Sequence, residues 1–111
     1  MNNEMSIEHF IETIKKLPKH EHREAWIRWL SDYDKAGPFK RQTGEKHSAK
    51  FVYNNLAFPE MLLWLIQSVG IEQGLIDMAE SDSKQFENVR RKAAAIRKRV
   101  PWKDLERLLK E

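Results

Sequence analysis

The segment of residues 59–69 constrains the fold of this chain more than any other feature. After Pro59 it carries a single charge, at Glu60, and its apolar side chains are Met61, Leu62, Leu63, Trp64, Leu65, Ile66 and Val69. A helix that is apolar around most of its circumference is usually the buried centre of a domain. Gly70 follows at the position where a left-handed residue commonly ends a helix. We therefore expect a central helix over 59–69.

Apolar residues recur at helical spacing on both sides of this segment, without strand-like alternation or an internal repeat. The sequence therefore predicts an all-α fold, a compact bundle of six to seven short helices in a single domain over residues 1–111. The first, second and last helices are expected to pack around the central one. The predicted helices cover residues 7–17, 18–33, 47–56, 59–69, about 75–79, about 83–99 and 101 onward.

A few residues with strong local preferences set the predicted helix boundaries. Ser6 is expected to cap the first helix, and Pro18 is expected to stop it. Residues 81–83 form a Ser-Asp-Ser cap cluster. Within this cluster, Asp82 has Gln85 three residues later, which is the spacing of a capping box. The helix over about 83–99 is therefore expected to begin at this cluster.

The region 34–46 lacks apolar periodicity and contains two glycines and a proline. These features predict an exposed loop, and a loop of this length in a small domain is often functional. Phe39 lies beside Lys40 and Arg41, where an aromatic ring among cations can contact a partner. Packing of the ring as a loop anchor is the other interpretation. Residues 1–5, at the start of the chain, are expected to be frayed.

The composition argues against several classes of function. The chain has no cysteine, which excludes disulfides and thiolate metal sites. Its longest apolar stretch is too short to span a bilayer, and no signal peptide is visible, so a cytoplasmic protein without membrane contact is expected. His20 and Glu24 have the spacing of same-face metal ligands, but no further ligand accompanies them. With no nucleophile motif or phosphate-binding loop either, we expect neither enzyme activity, a cofactor nor a metal.

The most strongly charged stretch of the chain is residues 90–99, where six of ten residues are cationic. Apolar residues run through it at helical spacing, which predicts an amphipathic helix with one narrow stripe to bury. The predicted stripe consists of Phe86, Val89, Ala93, Ile96 and Val100. The cations occupy the rest of the circumference, so this helix is expected to present a positive surface.

A positive helix surface attracts anionic partners, most commonly nucleic acid, because Lys and Arg neutralise phosphates and release counterions. An acidic protein surface would be attracted by the same charges. Residues 60–83 hold five acids and no Lys or Arg. In the alternative interpretation, these acids pack beside the basic helix and partly neutralise it. The residues predicted to bind nucleic acid or a protein partner are Arg90, Arg91, Lys92, Arg97, Lys98 and Arg99, with Phe39, Lys40 and Arg41 of the loop.

Residues 62–79 have the pattern of two helices joined by a short turn at Gly70, as in a helix-turn-helix. The second of these helices offers Gln73, Asp77 and Glu80 but no cation. Acidic side chains would repel phosphates, so we interpret the segment as a plain helical hairpin and not as a DNA reader. The apolar segment 59–69 is also compatible with a homodimer seam.

Four blocks of the sequence resemble a pattern in small all-α proteins of bacteria and their phages. The blocks are Trp26-x-x-Trp29-Leu30-x-x-Tyr33, Ala49-x-x-x-Tyr53-Asn54, Pro59-x-Met61-Leu62-x-Trp64-Leu65 and Ala94-Ala95-Ile96-Arg97-Lys98-x-x-Pro101-Trp102. The resemblance implies a small binding protein of phage or mobile-element origin. Such a protein would either regulate nucleic acid or, like anti-CRISPR proteins, inhibit a host nuclease or defence complex by docking on it. The resemblance assigns no role to any single residue.

Overall fold

A computed structural model describes residues 5–35 and 48–110, and these residues form seven α-helices. Apart from one isolated bridge between Ser6 and Ser48, the described residues contain no extended pairing. The predicted all-α class and the predicted number of helices are therefore confirmed. The helices are α1 (Ile7–Ile14), α2 (Arg23–Lys35), α3 (Ala49–Asn54), α4 (Pro59–Ser68), α5 (Gln73–Ser83), α6 (Val89–Arg99) and α7 (Trp102–Leu109).

The chain divides into two compact units, Met1–Tyr53 and Asn54–Glu111. In the first unit, α1 packs against α2. The N-cap prediction for Ser6 is confirmed, because its hydroxyl accepts a hydrogen bond from the His9 amide at 3.0 Å. The Met5 side chain is only 4% exposed, and its carbonyl accepts from the Ala49 amide at 2.9 Å. The expectation that residues 1–5 are frayed is therefore wrong at Met5, and residues 1–4 lie outside the described ones.

The boundaries around α2 differ from the prediction at both ends. Between α1 and α2, residues 15–22 are non-helical, so the first helix ends before Pro18 and the second begins after it. His22, just before α2, is exposed. At the other end α2 continues to Lys35. The predicted loop 34–46 is therefore wrong for its first two residues, and its remaining residues, including Phe39, Lys40 and Arg41, lie outside the described ones.

In the second unit, α4 packs against both α5 and α6. Its buried side chains are Met61, Leu62, Trp64, Leu65 and Ile66, and Leu63 is half-buried. The prediction of a buried apolar helix is thus confirmed, with Pro59 in its first turn as expected. The packing of the first, second and last helices around it stays a prediction. None of the described helices is both long and apolar enough to cross a bilayer.

The chain leaves α4 through a turn that only glycine adopts readily. Gly70 has a φ of 87°, as its position after the apolar segment predicted. Its amide donates to the Gln67 carbonyl at 3.3 Å, and the Ile71 amide donates to the Ile66 carbonyl at 3.1 Å. This pair of bonds is the Schellman motif, which satisfies carbonyls at the end of a helix. It reverses the chain so that α5 packs back on α4.

The prediction for residues 81–88 is wrong. Residues 81–83 form the last turn of α5 and do not cap α6. The cap is Asn88, whose Oδ1 accepts from the amides of Arg90 at 2.8 Å and Arg91 at 3.3 Å. Because α6 begins only at Val89, Phe86 lies in the preceding turn and is outside the helical stripe. Phe86 and Val89, both predicted to be buried, are 36% and 55% exposed.

We expect Gly70→Ala to lower the free energy of unfolding by about 1–2 kcal/mol, because a left-handed backbone is strained for any residue with a Cβ. The matched control is Gly74→Ala, since Gly74 lies in α5 with open space around its Cα. Alanine there is expected to be neutral or to stabilise by up to about 1 kcal/mol. Urea unfolding measures both variants. Equal effects of the two substitutions would contradict the role given to Gly70.

Candidate functional site

The rotation of α6 about its axis is set by a short buried stripe. Ala93 and Ile96 are fully buried, and Val100, at the C-cap, is nearly so. These three residues confirm the C-terminal part of the predicted stripe. The six cations of the helix therefore occupy the remaining faces, as expected, but the structure places them in three different environments.

Arg97 is the cation that turns toward the protein interior. Its guanidinium donates a hydrogen bond to the backbone carbonyl of Leu56, 41 positions away in sequence. Leu56 itself is 1% exposed, so this carbonyl lies where water has little access. A buried carbonyl without a donor is costly, and Arg97 therefore secures the segment that joins α3 to α4.

Arg99 pairs with an acid of the neighbouring helix. Its Nε lies 2.6 Å from Oδ2 of Asp82, which is in the last turn of α5. The hydrogen bond to Asp82, and then the charge of that carboxylate, raise the pKa of Arg99 above its ordinary value. This ion pair links the C-terminal ends of α5 and α6.

The remaining cations have no ion-pair partner among the described residues. Arg90, Arg91 and Lys98 are exposed, and Lys92 is half-buried. At 100° per residue, the three exposed cations fall within an arc of about 100° on one face of α6. We call Arg90, Arg91 and Lys98 the cationic face. Side chains on one face at this spacing can engage one extended anionic partner together.

The acids of α5 neutralise the basic helix only in part. α5 and α6 pack closely, as that interpretation of the charge pattern required. Asp82 reaches Arg99, but Glu80 pairs with Lys84 at 3.6 Å and Asp77 accepts from Gln73 at 2.9 Å. These last two contacts lie outside α6. The cationic face thus keeps its charge.

A groove of about 410 Å³ lies beside the cationic face. Its lining comes from the end of α5, the turn that follows and one side of α6, and consists of Asp82, Gln85, Phe86, Arg91, Ala94, Ala95 and Lys98. The two alanines leave space against the helix, Phe86 contributes an aromatic ring, and Arg91 and Lys98 contribute positive charge. Phe86 is thus a surface residue of the groove, whereas the sequence pattern predicted it to be buried. Asn88 was the available signal, since an Asn N-cap there places Phe86 before the helix.

The histidine group in the first unit packs against an indole. The His20 ring stacks on Trp26 with centroids 4.6 Å apart, and the His22 ring meets the same indole at 5.9 Å. Nδ1 of His20 accepts a hydrogen bond from the His22 amide at 3.0 Å. One nitrogen of His20 is therefore already engaged within this turn.

Comparison with known proteins adds no assignment for the cationic face or the groove. No protein family, curated protein or solved structure matches the chain. The resemblance to small proteins of bacteria and phages therefore stays a prediction that rests on its four sequence blocks.

We expect Arg97→Met to lower the free energy of unfolding by about 1–3 kcal/mol, because it leaves the Leu56 carbonyl without its charged donor. Lys98→Met, one residue further along the helix, is the matched control. Its side chain is exposed and unpaired within the described residues, so a change within about 0.5 kcal/mol is expected. Denaturant unfolding of both variants measures the difference. A stable Arg97 variant would show that the hydrogen bond does not hold this segment.

Proposed function

We propose that this protein is a non-enzymatic binding protein that contacts nucleic acid through the cationic face of α6. The observation that carries the proposal is the exposure of Arg90, Arg91 and Lys98 on one face, without an acidic partner among the described residues. Phosphate neutralisation by such side chains releases condensed counterions, which supplies most of the affinity of sequence-independent binding.

The spacing along the helix fits phosphates that lie about three nucleotides apart on one strand. Arg91 and Lys98 are seven residues apart in α6, which is about 10.5 Å along the helix axis. A strand of B-DNA advances about 3.4 Å per nucleotide, so the two side chains are separated by roughly three nucleotides. Both side chains are long enough to adjust to neighbouring phosphates.

The first turn of α6 supports contact through side chains and not through the backbone. Asn88 accepts the amides of Arg90 and Arg91, so these two donors of the helix N-terminus are already occupied. A phosphate near this turn would be held by guanidinium groups, which bind it with two parallel hydrogen bonds. Of the other cations, we assign Arg97 and Arg99 to structural roles, whereas half-buried Lys92 lies off the cationic face.

A second candidate function is that of an inhibitor of phage or mobile-element origin that docks on an acidic surface of a host nuclease or defence complex. The observation that favours it is the exposure of Phe86 and Val89 near the same cations. Protein interfaces often depend on an aromatic anchor. The dependence of binding affinity on salt distinguishes the two functions. Phosphate contacts weaken steeply as the salt concentration rises, whereas an anchored apolar contact weakens much less.

We expect Arg91→Glu/Lys98→Glu to weaken binding to labelled DNA and RNA, measured by fluorescence anisotropy between about 50 and 200 mM salt. The slope of log affinity against log salt should become shallower by about 1.8 for duplex DNA, where each phosphate contact contributes about 0.9, and by about 1.4 for single strands, where each contributes about 0.7. Lys103→Glu/Arg107→Glu is the matched control, with the same change of charge at two exposed residues of α7.

The control should bind more tightly than the α6 variant and keep the slope of the parent protein. Affinity of Arg91→Glu/Lys98→Glu equal to that of the parent would refute the proposed function. Equal losses in both variants would show that net charge, and not the cationic face, determines binding. Weak dependence on salt in the parent would favour the inhibitor.

A further inference from the structure

We propose that the groove beside α6 is a subsite for an unpaired nucleobase, so that the nucleic acid bound by this protein is single-stranded. This inference rests on the proposed function, because the cationic face would hold the phosphates of the same strand. It adds Phe86, a residue that the charge pattern does not identify. It also adds a preference for single-stranded over double-stranded nucleic acid, which phosphate contacts alone do not supply.

The residues that line the groove suit a flat ring. Ala94 and Ala95 present only methyl groups on its helical side, while Phe86 contributes an aromatic ring from the turn before α6. A base on an aromatic side chain gains stacking energy whatever its identity, because every base has a π-face. Phe86 is 36% exposed, so part of its surface is available without rearrangement of the core.

The charges of the groove complement a nucleotide. Arg91 and Lys98 line it together with the apolar residues, so a base in the groove has cations nearby for its flanking phosphates. Asp82 also contributes to the lining and would repel a phosphate if its charge were unopposed. Its Oδ2, however, lies 2.6 Å from Nε of Arg99, which offsets that charge. Stacking platforms bordered by cations are typical of proteins that bind single strands.

The size of the groove favours a base over a protein segment. Its volume of about 410 Å³ is near the lower end of the range for small-molecule sites. Its lining comprises seven residues, whereas a stable protein interface takes about 20–30 residues from each partner. In a duplex the bases are stacked and paired, so a base enters such a groove only after it is unpaired.

The test compares Phe86→Ala with Phe86→Tyr, which keeps the ring. Affinities are measured for a single strand of about 16 nucleotides and for the duplex of the same sequence. Phe86→Ala is expected to lower the ratio of single-strand to duplex affinity by about 5- to 150-fold, and Phe86→Tyr to keep it within about twofold. Met78→Ala is the control, since Met78 is 44% exposed on α5 but does not line the groove.

A second probe uses the unaltered protein and an abasic strand, which carries the phosphates without the bases. The parent protein is expected to bind the abasic strand about as weakly as Phe86→Ala binds the normal strand. This arm does not depend on the folding of a variant. Equal affinity of the parent for abasic and normal strands would overturn the base subsite.

The outcomes separate this inference from the proposed function. If the charge reversal at Arg91 and Lys98 weakens binding while Phe86→Ala leaves the affinity ratio unchanged, the subsite is wrong and the phosphate contact stands. If the charge reversal has no effect, the proposed function fails. A third outcome is that polyglutamate displaces the strand and that Phe86→Ala lowers the affinity of the protein for polyglutamate. This result would assign the groove to an acidic protein partner and overturn the inference.

Discussion

The burial of Ala93, Ile96 and Val100 determines which cations of α6 reach solvent. A helix has one rotational degree of freedom about its axis, and a narrow apolar stripe is sufficient to fix it because the rest of the circumference is charged. Once the stripe faces inward, the side chains of Arg90, Arg91 and Lys98 lie on a different side of the helix, in solvent. The same rotation brings Arg97 to the Leu56 carbonyl and Arg99 to Asp82. Packing thus sorts six chemically similar side chains into different roles.

Local signals in the sequence predicted several features of the fold correctly. Ser6 caps α1, Pro59 opens α4, and Gly70 adopts the left-handed conformation that ends it. Each of these residues favours a particular position at a helix end, and this preference depends only on the residue itself and its immediate neighbours. The all-α class follows from helical periodicity, which is a similarly local property.

The prediction from the sequence was wrong at the start of α6, where two residues could each serve as the N-cap. Asp82 and Asn88 are both favoured N-caps, and the choice between them depends on where α5 ends. In the structure α5 ends at Ser83, which is buried together with Ala79, and burial depends on tertiary packing that local sequence signals do not specify. The different roles of the α6 cations could not be predicted from the sequence either. Arg97 bonds to a residue 41 positions away and Arg99 to one 17 positions away, and spacing along one helix carries no information about such partners.

Substitutions at the two alanines that line the groove can change this surface with little effect on the stability of the fold. Ala94 is exposed and Ala95 half-buried, whereas the inward-facing positions beside them are occupied by Ala93 and Ile96. Alanine has the highest helix propensity, and most other side chains cost only a few tenths of a kcal/mol at such positions. A single codon change at either alanine is therefore able to narrow or fill the groove while α6 keeps its packing. Related chains are expected to diversify their ligands at these two positions while they keep the same helices.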